Sequence, residues 1–206
     1  NAIAFKSSTA SSFSLGFCAA ASAGTVMSAA ITAPIIGLGI MGARELGQIE
    51  RANAQTAAAI GRLGPKSLLS VKGVNALAQA LQNKSGMDDQ AIQTGQNLLL
   101  SIGGIDTRTK AGVKTFKTAS RSMVEFAEAT GKTAEVAGAQ YAKSMAAAAQ
   151  GTLLLPRGMK LGKEETIRLK DALEHASTAT ERQALVADAL GKKFAGSMKL
   201  TNADKW

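Results

Sequence analysis

Beyond residue 70 glycine punctuates the chain in a regular way: Gly86, the pair Gly103-Gly104, Gly131 and Gly151 each follow an amphipathic run. Glycine readily takes the left-handed conformation that ends a helix, so the pattern predicts one helix after another. "VNALAQALQNKSG" carries Lys84 in its last turn, and "MDDQAIQTGQNLLLSIGGI" opens on Asp88 and Asp89 and runs through Leu98–Leu100. "RTKAGVKTFKTASRSMVEFAEATG" is the clearest amphipath, with Val113, Phe116, Ser120, Met123 and Ala127 on one face. An Ala-rich helix ends at Gly151, and a loop, "TLLLPRGMKLG", precedes "KEETIRLKDALEHAS", whose apolar markers are Ile167, Leu169 and Leu173. The last helix starts from Thr178 or Thr180 as cap and turns Leu185, Ala189 and Phe194 inward. No stretch alternates β-branched and polar residues as a strand would, so the fold class is all-α.

What fills such a core follows from composition. Hydrophobic residues make up 46% of 206 residues but aromatics only 4%, which leaves Ala, Leu, Ile, Val and Met to do the packing. Alanine favours helix and lets helices approach closely. Met41, Met87, Met123, Met145, Met159 and Met198 are dispersed, as core filler would be. The first residue is Asn, which suggests a piece of a longer chain. A net charge of +9 favours anionic partners or an acidic wall. Cys18 and His175 are each alone of their kind, which removes an internal disulfide, most zinc sites and the histidine-dependent triads.

The N-terminal part is organised differently. No charged residue stands between Lys6 and Arg44. Residues 1–33 read as an uncharged Ser/Ala/Gly-rich arm, long enough for a membrane span yet rich in small polar residues and followed by Pro34. Insertion in lipid and packing against other protein both stay open. Residues 34–64 read as a long helix in which Leu46, Ile49, Asn53, Thr56, Ile60 and Leu63 fall at alternating three- and four-residue steps. That is a short heptad seam for oligomer contact, or equally the inner face of an amphipathic helix in a compact domain. Gly64-Pro65 break it, a helical domain follows over 66–198, and 199–206 form a tail.

Three constellations invite a chemical reading. Gly37-x-Gly39-x-x-Gly42 spells the dinucleotide fingerprint of an oxidoreductase. It needs a strand before it and an acid about 20 positions on to hold the ribose. Here "SAAITAPII" precedes it and "QTAAAIGRL" stands where the acid belongs, so the three glycines read better as close-packing positions on a helix. Lys110, Lys114, Lys117 and Arg121 recur at helical spacing as a basic face, either solvated or able to follow phosphates or an acidic surface. The carboxylate pairs Asp88-Asp89 and Glu164-Glu165 sit at helix starts, where the helix dipole already accounts for them, and His175 near a helix end. No catalytic, cofactor-binding or metal-ligating residues emerge.

The order of the segments nevertheless resembles a known family. Thr32–Ile35 ("TAPI"), "NAQTAAAI" (Asn53–Ile60), "ALAQALQNKSG" (Ala76–Gly86) and "MDDQAIQTGQNLLLSIGGI" (Met87–Ile105) are similar to the N-terminal-side core region of the tail tape measure proteins of long-tailed bacteriophages. "FKTASRSMVEFAEATG", "KEETIRLKDAL" and "ERQALVADALGKKFAGS" continue the likeness, which covers Thr32 to Ser197 and is sharpest over Ala76–Ile105. The resemblance implies a non-enzymatic structural virion protein of the tail lumen that sets tail-tube length during assembly and leaves at DNA ejection. Its implied partners are other copies of itself, tail-tube and tail-tip (baseplate hub) proteins, and the host membrane during ejection, with DNA contact at most transient. It brings no cofactor and no catalytic residue.

Overall fold

The computed structural model describes residues 47–199. Among the described residues there are helices and connecting loops but no strand, the all-α class that periodicity predicts. Helix α1 covers 47–62, α2 Val71–Ser85, α3 Asp89–Ser101, α4 Lys110–Thr130, α5 Ala134–Ala149, α6 Lys163–His175 and α7 Ala179–Phe194, before a short 3-10 turn at Ser197–Lys199. The arm 1–33, the start of the long helix with Gly37, Gly39, Gly42 and Leu46, and the tail past 199 lie outside the described residues.

Local chemistry fixes most helix ends. Ser70, Asp88, Thr109, Thr133 and Thr178 each accept a backbone N–H of their own first turn through the side chain. Of the two candidate caps on α7 it is Thr178 that serves, with Glu181 reaching back to complete a capping box. At Gly86 and Gly131 the backbone turns left-handed, φ 73° and 64°, and closes α2 and α4 as expected. Helix α6 starts on Gly162 without a side-chain cap; Glu164 and Glu165 in its first turn face the positive end of its dipole instead.

Packing is strongest between α3 and α5 and between α4 and α7, with α2 laid on α3 and α6 on α7. Helix α4 supplies Phe116, Met123, Val124, Phe126 and Ala127 to the core, α5 supplies Ala137, Tyr141 and Met145, and α7 supplies Val186, Ala187, Leu190 and Phe194. The Phe126 ring lies 5.9 Å from Tyr141 and 5.1 Å from Phe194, centroid to centroid, so the few aromatics are concentrated in one place. The α5–α6 loop is pinned by the fully buried Met159.

Two inward faces differ from expectation. On α7 the buried set is Gln183, Val186, Ala187, Leu190 and Phe194, while Leu185 and Ala189 are only half-buried. Phe194 stands about 140° round the helix from Ala189, so those residues never shared a face. On α6, Leu169 and Leu173 are buried but Ile167 is 67% exposed. It sits about 200° round from Leu169, and α6 packs chiefly on α7, which covers only a narrow strip.

Candidate functional site

The face of α1 read as a heptad seam is turned onto α2 and α3 of its own chain. Ala52, Thr56 and Ala59 are buried, Asn53, Ile60 and Leu63 half-buried, and Ile49 at the start of the described helix is exposed. The polar seam residues are therefore engaged within the chain rather than held free for another copy. Of the two readings of this face, the inner side of a compact domain describes Asn53 to Leu63.

What they meet is a layer of side-chain amides. The Gln93 amide nitrogen on α3 lies 2.8 Å from the Thr56 hydroxyl, 3.1 Å from Asn53 Oδ1 and 2.7 Å from Asn75 Oδ1 on α2. Asn75 Nδ2 donates to Asn53 Oδ1 at 2.7 Å, which closes a loop through three helices. The Thr56 hydroxyl is 2.9 Å from both the Ala52 carbonyl and Asn97 Oδ1, with one proton for two acceptors. Gln93, Thr56 and Asn97 are all buried. Such a layer is directional: it fixes the register of α1 against α2 and α3, because a slip would leave buried amides unpaired.

Next to this layer stands Gln96, fully buried, with neither amide atom bonded to any described residue. Then comes Gly95, where α3 and α5 touch backbone to backbone. A methyl at Gly95 would come within 2.7 Å of both the Ala134 carbonyl oxygen and Met123 Sδ; one at Gly138 would come within 2.4 Å of the Gly95 Cα. Sequence reasoning sought close-packing glycines at Gly37, Gly39 and Gly42 and missed this pair. The signal was present in "QTGQN", a glycine enclosed by amides, but its partner Gly138 lies in an unremarked Ala-rich run.

The basic face exists as a surface. Lys110, Lys114, Lys117 and Arg121 are all exposed on α4. Arg121 is committed, however: its Nε donates to the buried Glu125 carboxylate at 3.1 Å. Lys114 shares a shallow α4–α7 groove with Glu181 and Asp188. The row is thus interrupted by carboxylates rather than being a continuous track for phosphates.

The remaining titratable groups are explained by local structure. Asp106 accepts from Arg108 side chain and backbone, which holds its carboxyl below the usual range. Burial, and then the nearby Glu125 charge, push the Tyr141 phenol far above its ordinary range. The His175 ring, 2.8 Å from the Asp171 carbonyl through Nδ1, is raised first by that bond and then by the Asp171 carboxylate. Among the described residues no group of three His, Cys, Asp or Glu side chains could hold a metal ion. None of the described helices is long and apolar enough to cross a membrane. Where the dinucleotide reading requires a second strand and its acid, residues 55–62 are helix α1.

No family model, curated protein or solved structure matches the chain.

Proposed function

We propose that this chain is a non-enzymatic structural protein of a phage virion, a segment of a tail tape measure protein that assembles through helical contacts. One observation supports it most. The sharpest part of the resemblance, Ala76–Ile105, contains Gly86, Asp88, Gln93, Gly95 and Asn97, and the fold uses each one. Gly86 ends α2, Asp88 caps α3, Gln93 and Asn97 tie α3 to α1, and Gly95 admits α5. Asn53 and Thr56, from the separate "NAQT" element, meet the same cluster. Motif residues from α1 and α3 converge in space in structural roles, as befits a signature of architecture.

The reading is tested in intact particles. Mass spectrometry of purified tails should find this chain. In-frame lengthening of its parent gene by roughly 100 helical residues should extend the tail by about 150 Å, at 1.5 Å per residue. Tails of unchanged length, or a chain found only free in host cytosol, would sink the proposal.

A further inference from the structure

One end of the helix bundle carries exposed aliphatic and cationic side chains. The α1–α2 and α3–α4 loops meet there: the Leu68 N–H donates to the Thr107 carbonyl at 2.9 Å, and the Ser67 and Thr107 hydroxyls lie 2.8 Å apart. Leu68 in the first loop is 57% exposed and Ile102 at the end of α3 is 50% exposed. In these two loops and at the helix ends they join, Arg62, Lys66, Lys72, Arg108 and Lys110 are all exposed. Arg62 shares a groove with Leu98 and Ser101, which sets it beside the Ile102 end of α3.

Negative charge is scarce here. Residues 51–87 contain no carboxylate and 90–124 only Asp106, which Arg108 already occupies. Neither α2 nor α4 has an acid in its first turn. Of the two α7 carboxylates in the groove beside Lys114, Glu181 is turned onto the N–H groups of Ser177 and Thr178, and Asp188 lies about two turns farther along the helix. Asp171 in the last turns of α6 sits against His175.

We propose that this end face is a docking surface for an anionic membrane, with Leu68 and Ile102 entering the headgroup region and the cations meeting lipid phosphates. The combination decides between partners. A nucleic-acid duplex would satisfy the cations but give the two aliphatics nothing apolar to enter. A protein partner needs roughly 800 Å² per side around an apolar centre, and interface centres are depleted in lysine; two aliphatics ringed by lysines fall short of that. The inference rests on this surface alone and does not depend on a virion role.

Co-sedimentation of the whole chain with vesicles tests it, using phosphatidylcholine alone and phosphatidylcholine with roughly one third phosphatidylglycerol. The chain should bind the anionic vesicles, less so as salt is raised. K66E/K72E/K110E should weaken partitioning by about a hundredfold or more, and L68S/I102S by roughly tenfold. These positions are exposed, so both variants should keep the parent melting temperature, which separates lost binding from lost fold. Undiminished binding of the triple variant would place the anchor elsewhere in the chain and overturn the proposal. So would equal binding to zwitterionic vesicles. Salt-dependent binding to duplex DNA, indifferent to L68S/I102S and without vesicle binding, would replace it with a nucleic-acid surface.

Discussion

The seam joining α1 to α2 and α3 and the core joining α4 to α5 and α7 are built on opposite principles. On the α1 side, the first is a layer of amides and a threonine whose buried apolar residues are Ala52 and Ala59. The second concentrates Phe116, Phe126, Tyr141, Met123, Met145 and Phe194. A net hydrogen bond contributes about 1 kcal/mol, whereas fully burying one large apolar side chain contributes about 1.5–3 kcal/mol. The amide layer therefore supplies register more than strength, and the aromatic core supplies strength. An alanine-rich chain benefits from this division, because smooth Ala faces slide past one another unless something directional stops them.

The comparison is most forcefully broken from the apolar side. Phe126→Ala removes the ring that joins Tyr141 and Phe194 and should cost about 4 kcal/mol in urea unfolding. Gly138→Ala should come next, at about 3 kcal/mol, since its methyl would meet the Gly95 backbone rather than a flexible side chain. The modest gain in helix propensity does not offset that overlap.

Gln93→Leu tests the polar side. It leaves Asn75 Oδ1 without its donor, takes one donor each from Asn53 Oδ1 and the Thr56 hydroxyl, and should cost about 2 kcal/mol. The sharper readout is hydrogen exchange. Amides of α1 should already open more easily than those of α4, and the substitution should accelerate α1 while leaving α4 nearly unchanged. Equal acceleration in both helices would show the two regions to be one cooperative unit. Gln96→Leu should act in the opposite direction, gaining about 1 kcal/mol by removing an unbonded amide from the core.

The smallest effect belongs to His175, which is exposed at the end of α6. Its titration, followed by NMR, should lie above the ordinary 6.5. Asp171→Asn should reverse only part of that shift, because the larger cause is the backbone carbonyl. A raised value means the protonated ring favours the folded state. Its contribution is complete below the ordinary value and fades as pH rises through the folded one.

Helix existence and most helix ends were legible in the sequence, because capping and termination are local events. Ser, Thr or Asp before an apolar run and Gly after it act within a single turn, as Asp88, Thr178, Gly86 and Gly131 do. The face of α4 was legible for the same reason, since it is buried on several sides and its periodicity is strong. Helices α6 and α7 misled through Ile167, Leu185 and Ala189, because which apolar residue turns inward there depends on where a neighbour lies.

By itself, then, the sequence determined an all-α chain, its punctuation and its net positive charge. Only the tertiary structure decided that Asn53 and Thr56 answer Gln93, Asn75 and Asn97, that Gly95 and Gly138 let two backbones touch, and that Leu68 and Ile102 share an end with five cations. Each of those pairs residues far apart along the chain. Their meeting depends on how whole helices pack, and no local rule encodes it.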